Sequence, residues 1–562
     1  MNNSLVFADY LVFVVYFLMV AIYGYWVYQK KKKAVTDTKD FFLAEGSLTW
    51  WAIGASLIAS NISAEQFIGM SGEGYFVGIA IAVYEWMAAL ALIIIAVWFI
   101  PIYLKNRIYT MPQFLKTRYN ETVALIMAVF WLFLYVFVNL TSILYLGAVA
   151  INGLVGGESL HLIMVCLAVF ALIITLGGMK VIGYTDVIQV AVLIIGGLAT
   201  TYLALTMVSE KFGLGTDALA GFNMLMKDAP DHFHMIIPKP DENSTQLEIN
   251  KYLVLPGIAM YFAGQWIVHL NYWGCNQYIT QRALGADLQT ARTGILFAGL
   301  LKLMMPVIVM LPGIAAYVLY KNGHLPQLDG GSKDGAYSAI LGFLPSGLKG
   351  LSIAALTAAI VASLAGKANS ISTIFTLDIY KQYFQQDASE KRMVWVGRLT
   401  VLVSMIIAVI FTWEDLLGIG GEGGFTFIQK YTGFISPGVF AMFILGMFWK
   451  RTTGAAAIAG VITGFGLSVF FNQFAPSVCG TDTWLYTAYP IGNGSFEIPF
   501  LICMGLAFVF TMIVMIAISL AGPKVNPKAF EIDAAMFKVS RSTLILIVIT
   551  IIILTALYVK FW

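Results

Sequence analysis

Apolar runs of about twenty residues recur along the whole chain, each long enough to cross the hydrocarbon core of a bilayer. No motif constrains the fold as strongly. In lipid every backbone N–H and C=O must find its partner within the protein, and only helices and closed barrels achieve that. The runs lack the strict alternation of barrel strands, so the chain reads as an all-α integral membrane protein. Composition agrees: 59% of the 562 residues are hydrophobic and 11% charged, against about a quarter charged in a soluble protein. The net charge of +3 carries no nucleic-acid signal, and the expected partners are the lipid bilayer and a small molecule. The first run is too long for a signal-peptide core and reads as a retained helix. Cys166, Cys275, Cys479 and Cys503 fit no metal spacing. Cys479 and Cys503 could pair if both face outside, which the spacing leaves open.

Hydropathy gives about fourteen spans. They centre near Val15, Leu57, Ala89, Phe130, Leu167, Leu193, Ala259, Val307, Leu356, Met405, Phe440, Ile462, Ala507 and Ile549. Basic residues follow every odd-numbered span except the fifth: Lys30 to Lys33, then Lys105 to Arg118, Arg282 and Arg292, Lys381 to Arg392, Lys450 and Arg451, and Lys524 to Arg541. The positive-inside rule makes that side cytoplasmic and puts both termini outside. The longer loops Glu210–Lys251 and Lys321–Lys349 then lie outside. His232 and His234 in the first of these could bind metal, but read more simply as part of a solvated loop. No polar segment is long enough to form its own core.

A charged group deep in a bilayer is costly and usually faces a cavity. Polar residues concentrate in a few spans: Asn61, Ser63, Glu65 and Gln66 in the second; Glu85 in the third; Asp186 in the sixth; Gln265, His269, Asn271 and Tyr272 in the seventh; Lys302 in the eighth; Ser363, Lys367 and Asn369 in the ninth; Gln429 in the eleventh. The second span also carries several glycines. Such a stretch can unwind in mid-membrane and offer its freed carbonyls to a cation. Polar packing between helices is the competing reading. The second and seventh spans are five apart and both have polar centres, the pattern of inverted-repeat transporters that bind substrate at the midplane. Spans two to six and seven to eleven would be the repeats.

Several stretches resemble the sodium/solute symporter family, and most nearly its bacterial sodium/glucose (galactose) branch. They are "GASLIASNISAEQFIGMSGEGY", "YEWM", "FVNLTSILYLG", "YTDVIQV", "NYWGCNQYITQR", "LPGIAAYV" and "NSISTIFTLDIYK". The resemblance covers nearly the whole chain. It implies a leucine-transporter-like 5+5 core within one polytopic domain: an extra N-terminal helix and loop over 1–47, the transport core over 48–450, and three additional helices over 451–562. It implies a non-enzymatic symporter in the cell (inner) membrane that imports a monosaccharide or related polyol by alternating access, with Na+ as the coupling ion.

By position, the family's sugar site falls on Gln66, Glu85, Lys302 and Gln429, with Tyr272 stacking on the sugar beside Trp273. Met70, Tyr84 and Phe425 match its outer gate, and Asn61 and Asn139 brace the region. Two positions depart from the galactose branch: Ala88 stands for a serine and His269 for an asparagine. His269 with Lys302 could favour an acidic sugar such as a uronate, and another neutral hexose is the alternative.

The family's sodium site maps onto the carbonyls of Ala59, Ile62 and Ala359 and the hydroxyl of Ser363, with Asp186 nearby. Oxygen-only ligation suits a small, hard cation. Ala362 replaces one ligand serine. Lys367 lies one helical turn beyond Ser363 on the same face. From there its ammonium could reach Ser363 or Asp186 and replace sodium, coupling transport to H+ or leaving it uncoupled; alternatively it snorkels to the cytoplasmic face.

Overall fold

In the computed structural model the described residues are 6–30, 42, 48–63, 65–155, 159–326, 328, 333–414, 416, 424–492 and 494–562. Every expected span centre falls in a helix. The first span is Phe7–Lys30. The second is broken: Trp50–Asn61 ends in mid-span, and the chain resumes as Glu65–Met70 and Ser71–Val77. The third runs from Val83–Ile94 into Ile95–Phe99 and Ile100–Lys105. The fourth runs from Glu121–Phe133 through Leu134–Leu140 to Thr141–Val155. Leu160–Leu176 and Met179–Lys211 are the fifth and sixth.

The seventh is a pair, Gln246–Phe262 and Gln265–Gly274, bent by 80°. Leu288–Lys321, Leu348–Phe384 and Glu390–Thr412 follow as the eighth to tenth. The eleventh is Phe425–Gly433 with Ser436–Phe448, bent by 53°. Gly454–Cys479, Phe500–Leu520 and Arg541–Phe561 complete the set. Among the described residues ten helices are long and apolar enough to cross a membrane, or up to twelve with the two bent pairs. The fifth span, at 17 residues, and the broken second span are the short ones.

Local chemistry explains the break. Asn61 closes the first half and Ile62 is extended, with φ −83° and ψ 110°. Ser63 N–H donates to Gln66 Oε1 at 3.0 Å, so the carbonyl of Ala59 loses its usual i+4 donor. Glu65 N–H donates to Ser63 Oγ at 3.2 Å. The polar residues that look misplaced in an apolar run are therefore the ones that satisfy the backbone where the helix opens. Beyond the break the second span touches the eleventh so closely that a Cβ on Gly69 would lie 2.5 Å from the Cβ of Phe425. The second span packs on the sixth, eighth and ninth, and the sixth on the ninth.

Three arginines counted above as loop charges are buried: Arg118, Arg282 and Arg292. Arg118 donates to the carbonyls of Gly446, Thr452 and Trp449 at 2.7, 3.0 and 3.0 Å, capping the eleventh span. Arg292 donates to the carbonyls of Ala96 at 3.0 Å, Lys538 at 2.8 Å and Met536 at 2.9 Å. Guanidinium donors in a fork suit the unpaired carbonyls at helix ends. Lys31 to Lys33 and Glu422 lie outside the described residues. The 210–251 loop forms two helices, Ala218–Asp228 and Gln246–Val254. His232 there stacks on Tyr317 with centroids 3.9 Å apart, and His234 Nδ1 lies 3.1 Å from the carbonyl oxygen of Trp562. Cys479 is exposed and Cys503 buried, both free thiols.

Candidate substrate cavity and cation site

A cavity of about 90 Å³ opens beside the break, lined by parts of the second, third, fourth, seventh, eighth, ninth and eleventh spans. Of the residues expected to bind substrate, Asn61, Gln66, Glu85, His269, Tyr272, Lys302 and Gln429 all line it. Ala88 is buried but is not among the lining residues, so the branch's serine position has no counterpart on the wall here.

The centre of the polar wall is an ion pair. Lys302 Nζ lies 2.5 Å from Glu85 Oε2, both side chains being almost wholly buried. The ammonium also sits 5.4 Å from the centre of the Trp273 ring. The seventh span's bend at Ala263 and Gly264 turns its polar half inward, which delivers His269. His269 Nε2 is 3.0 Å from Gln265 Nε2, one turn away. Tyr84 meets Phe425 edge to face at 5.0 Å and His269 at 6.1 Å, forming one wall. Met70 is buried and does not line the cavity. Tyr272 Oη accepts from Asn61 Nδ2 at 3.0 Å, contacts the hydroxyl of Tyr278, and lies edge-on to Trp273. Asn139 lines the same space and donates to the carbonyl of Leu134 at 3.4 Å.

Several buried polar atoms on the lining side chains have no hydrogen-bond partner: Asn61 Oδ1, Glu65 Oε1, Asn271 Oδ1 and the hydroxyl of Tyr84. Unpaired polar groups in a buried wall are costly unless a ligand or water meets them. Aromatic faces beside mixed donors and acceptors match a polyhydroxylated ring. Glu65 and Asn271, singled out in the sequence only as polar residues within spans, also line the cavity, and so does Asn276, which was not singled out. The signal for the two asparagines was present in the polar "NYWGCNQY" run.

Behind the cavity lies the cation region. Ser363 Oγ donates to the carbonyl of Ser60 at 2.9 Å and lies 3.5 Å from that of Ala59. Ala59, Ile62 and Ala359 are buried around it. Freed carbonyls and one hydroxyl make a neutral, oxygen-only donor set that fits sodium. Ala362 is buried beside them and adds no oxygen. Asp186 is held elsewhere: its Oδ2 accepts from Ser56 Oγ at 2.5 Å and lies 3.9 Å from Arg282 Nη2. Arg282 Nε donates to Ser56 Oγ at 2.8 Å. A Cβ on Gly366 would lie 2.4 Å from Arg282 Nη2, so that glycine makes room for the guanidinium. Lys367 reaches neither Ser363 nor Asp186 and does not snorkel. It is buried, with Nζ 3.5 Å from Glu65 Oε1. The sequence reading missed this partner because Glu65 sits across the break, on another helix.

A bundle of broken, polar-centred helices around a midplane cavity is the architecture of a secondary transporter. The family model for the sodium:solute symporter family matches residues 41–464, and the chain belongs to that family. It is 43% identical over 574 aligned residues to the sodium/glucose cotransporter of Vibrio parahaemolyticus, covering 100% of this chain and 99% of that protein. It is 33% identical over 483 residues to human sodium/myo-inositol cotransporter 2, covering 82% of this chain and 69% of that protein. It is 31% identical over 549 residues to sheep sodium/glucose cotransporter 1, covering 91% and 78%. The fold matches a solved outward-open, substrate-bound Na+-coupled sialic acid symporter with a TM-score of 0.76 at 19% identity, over 93% of this chain and 99% of that one. The expected all-α inverted-repeat transport fold is thus the fold of this chain.

Proposed function

We propose that this protein is a secondary active symporter, driven by a sodium gradient, that moves a neutral monosaccharide or cyclic polyol by alternating access. The observation that carries this reading is the Lys302–Glu85 pair set among unpaired amide and hydroxyl groups beside aromatic rings. Glu85 accepts from sugar hydroxyls, Lys302 donates, and Gln66 and Gln429 do both. Tyr272 supplies a stacking face and, held by Asn61 and Tyr278, blocks the inner path until it moves. Phe425 and Tyr84, edge to face, close the outer path. The freed carbonyls near Ser363 accept sodium, and sodium there favours the state in which the second span is held against the ninth. The names of the relatives support both the ion and the sugar-like cargo.

The charges favour a neutral cargo over a uronate. Lys302 is already matched by Glu85 and Lys367 by Glu65, so no free cation awaits a carboxylate. The distribution of Lys and Arg supports a cell (inner) membrane carrier with both termini outside.

The test is uptake into proteoliposomes of glucose, galactose, myo-inositol and glucuronate, with a sodium gradient, a proton gradient or neither. Accumulation of a neutral sugar or polyol under the sodium gradient alone is expected, and Lys302→Met should lower it at least about a hundredfold, since a buried charge then loses its partner. Preference for glucuronate, accumulation driven only by protons, or mere equilibration would overturn the reading.

A further inference from the structure

The cavity wall carries four charged side chains, Glu65, Glu85, Lys302 and Lys367. The Lys302–Glu85 pair makes a short contact and belongs to the sugar wall. The other pair is placed differently. Glu65 opens the second half of the broken span, and its carboxylate is buried beside the freed carbonyls. Lys367 Nζ lies 3.5 Å from Glu65 Oε1, and no other described cation reaches salt-bridge distance of that carboxylate. The same ammonium sits 5.1 Å from the centre of the Tyr278 ring. Tyr278 donates to the carbonyl of Ser60, which also accepts from Ser363. The pair is therefore one residue removed from the cation region and shares its backbone.

We propose that Lys367 is a resident counter-charge for Glu65, standing in for a second mobile cation, so that the transporter binds one sodium ion per cycle. The inference rests on the sodium-coupled reading above and adds its ion count. The physical argument is electrostatic. A buried carboxylate next to a cavity and to backbone carbonyls released from the helix ladder at the break is a cation site unless a protein cation neutralises it. Lys367 neutralises it permanently, because the ammonium is tethered to the ninth span and cannot leave with the cargo. It leaves the carbonyl and hydroxyl set around Ser363 to sodium. This differs from replacing sodium there: the ammonium lies against Glu65 and contacts neither Ser363 nor Asp186.

The experiment reads sodium without sugar. Purified full-length protein in lipid nanodiscs is unfolded thermally across a sodium chloride series, with choline chloride holding ionic strength constant. The wild type should show a linkage slope of about one ion. Lys367→Met frees Glu65 and should raise the slope towards about two. The double variant E65Q/K367M should return it to about one. A slope unchanged in K367M, or still raised in the double variant, overturns the proposal. If K367M does not fold, Glu65→Gln alone decides: it leaves an unpaired ammonium near the sodium region, and sodium affinity should fall about tenfold or more by repulsion. Unchanged affinity in E65Q overturns the proposal as well. Glucose and myo-inositol are titrated separately at saturating sodium. Sodium stabilisation with no response to any sugar would overturn the cargo reading and leave the ion pair standing.

Discussion

At the residue scale the buried charges decide most. Arg282 is enclosed by Ser56, Asp186, Tyr278 and the small Gly366. Arg282 and Asp186 form a buried ion pair joined through the Ser56 hydroxyl, and removing one member of such a pair strands the other, at a cost of about 3–5 kcal/mol. Arg282→Gln should therefore lower the thermal midpoint strongly. The double variant R282Q/D186N should recover part of the loss, which separates stranded charge from lost packing. The sequence could not show this site. Lys and Arg near span ends normally mark the cytoplasmic surface, and nothing local separates those from Arg118, Arg282 and Arg292, which turn inward to meet carbonyls or Asp186. Lys302 and Glu85 were legible because each interrupts an apolar run. The Lys367–Glu65 contact was not, because it depends on how the break aims Glu65.

At the element scale the second span's outer half is clamped to its neighbours. Glu73, fully buried, lies 2.5 Å from Lys333 Nζ and accepts from Thr426 Oγ1 at 2.5 Å. Lys333 lies in the segment between the eighth and ninth spans, and Thr426 in the first part of the eleventh. One carboxylate thus ties three pieces beside the Tyr84–Phe425 wall. Lys333→Met should release them, seen as several-fold faster amide exchange over Ser71–Val77 and Phe425–Gly433 with the remaining spans unchanged. Uniform protection would refute the clamp.

Nearby, in the 210–251 loop, His232 is pushed down to about 4 from 6.5, chiefly by burial and then by the charge of Lys251. Its Nε2 lies 3.1 Å from the Tyr75 carbonyl oxygen. A depressed folded-state value means the unfolded chain takes up the proton first. This histidine's contribution is therefore constant above about pH 6.5 and is lost as pH falls towards about 4. His232→Phe, which keeps the stack on Tyr317, should flatten the fall of the thermal midpoint across that window. The break in the second span was foreshadowed by its glycines and polar residues and that in the seventh by its polar centre, whereas the close approach of Gly69 to Phe425 depends on how the second and eleventh spans pack.

At the scale of the whole molecule, the apolar runs located every span, because the requirement to satisfy backbone groups in lipid leaves little freedom. What they left open was the set of side chains that meet, and the pairing of those charges has an electrical consequence. Along the transport route Glu85 is matched by Lys302, Glu65 by Lys367, Asp186 by Arg282 and Glu73 by Lys333. Among the described residues the unloaded pathway therefore carries no net formal charge. Membrane voltage, worth about 2.3 kcal/mol per elementary charge per 100 mV, acts on the sodium-loaded crossing and leaves the empty return unopposed. On a solid-supported membrane, sodium and sugar together should displace charge, while relaxation of the empty carrier should be electrically silent. A carrier built this way spends the whole membrane potential on inward movement and loses none of it in resetting.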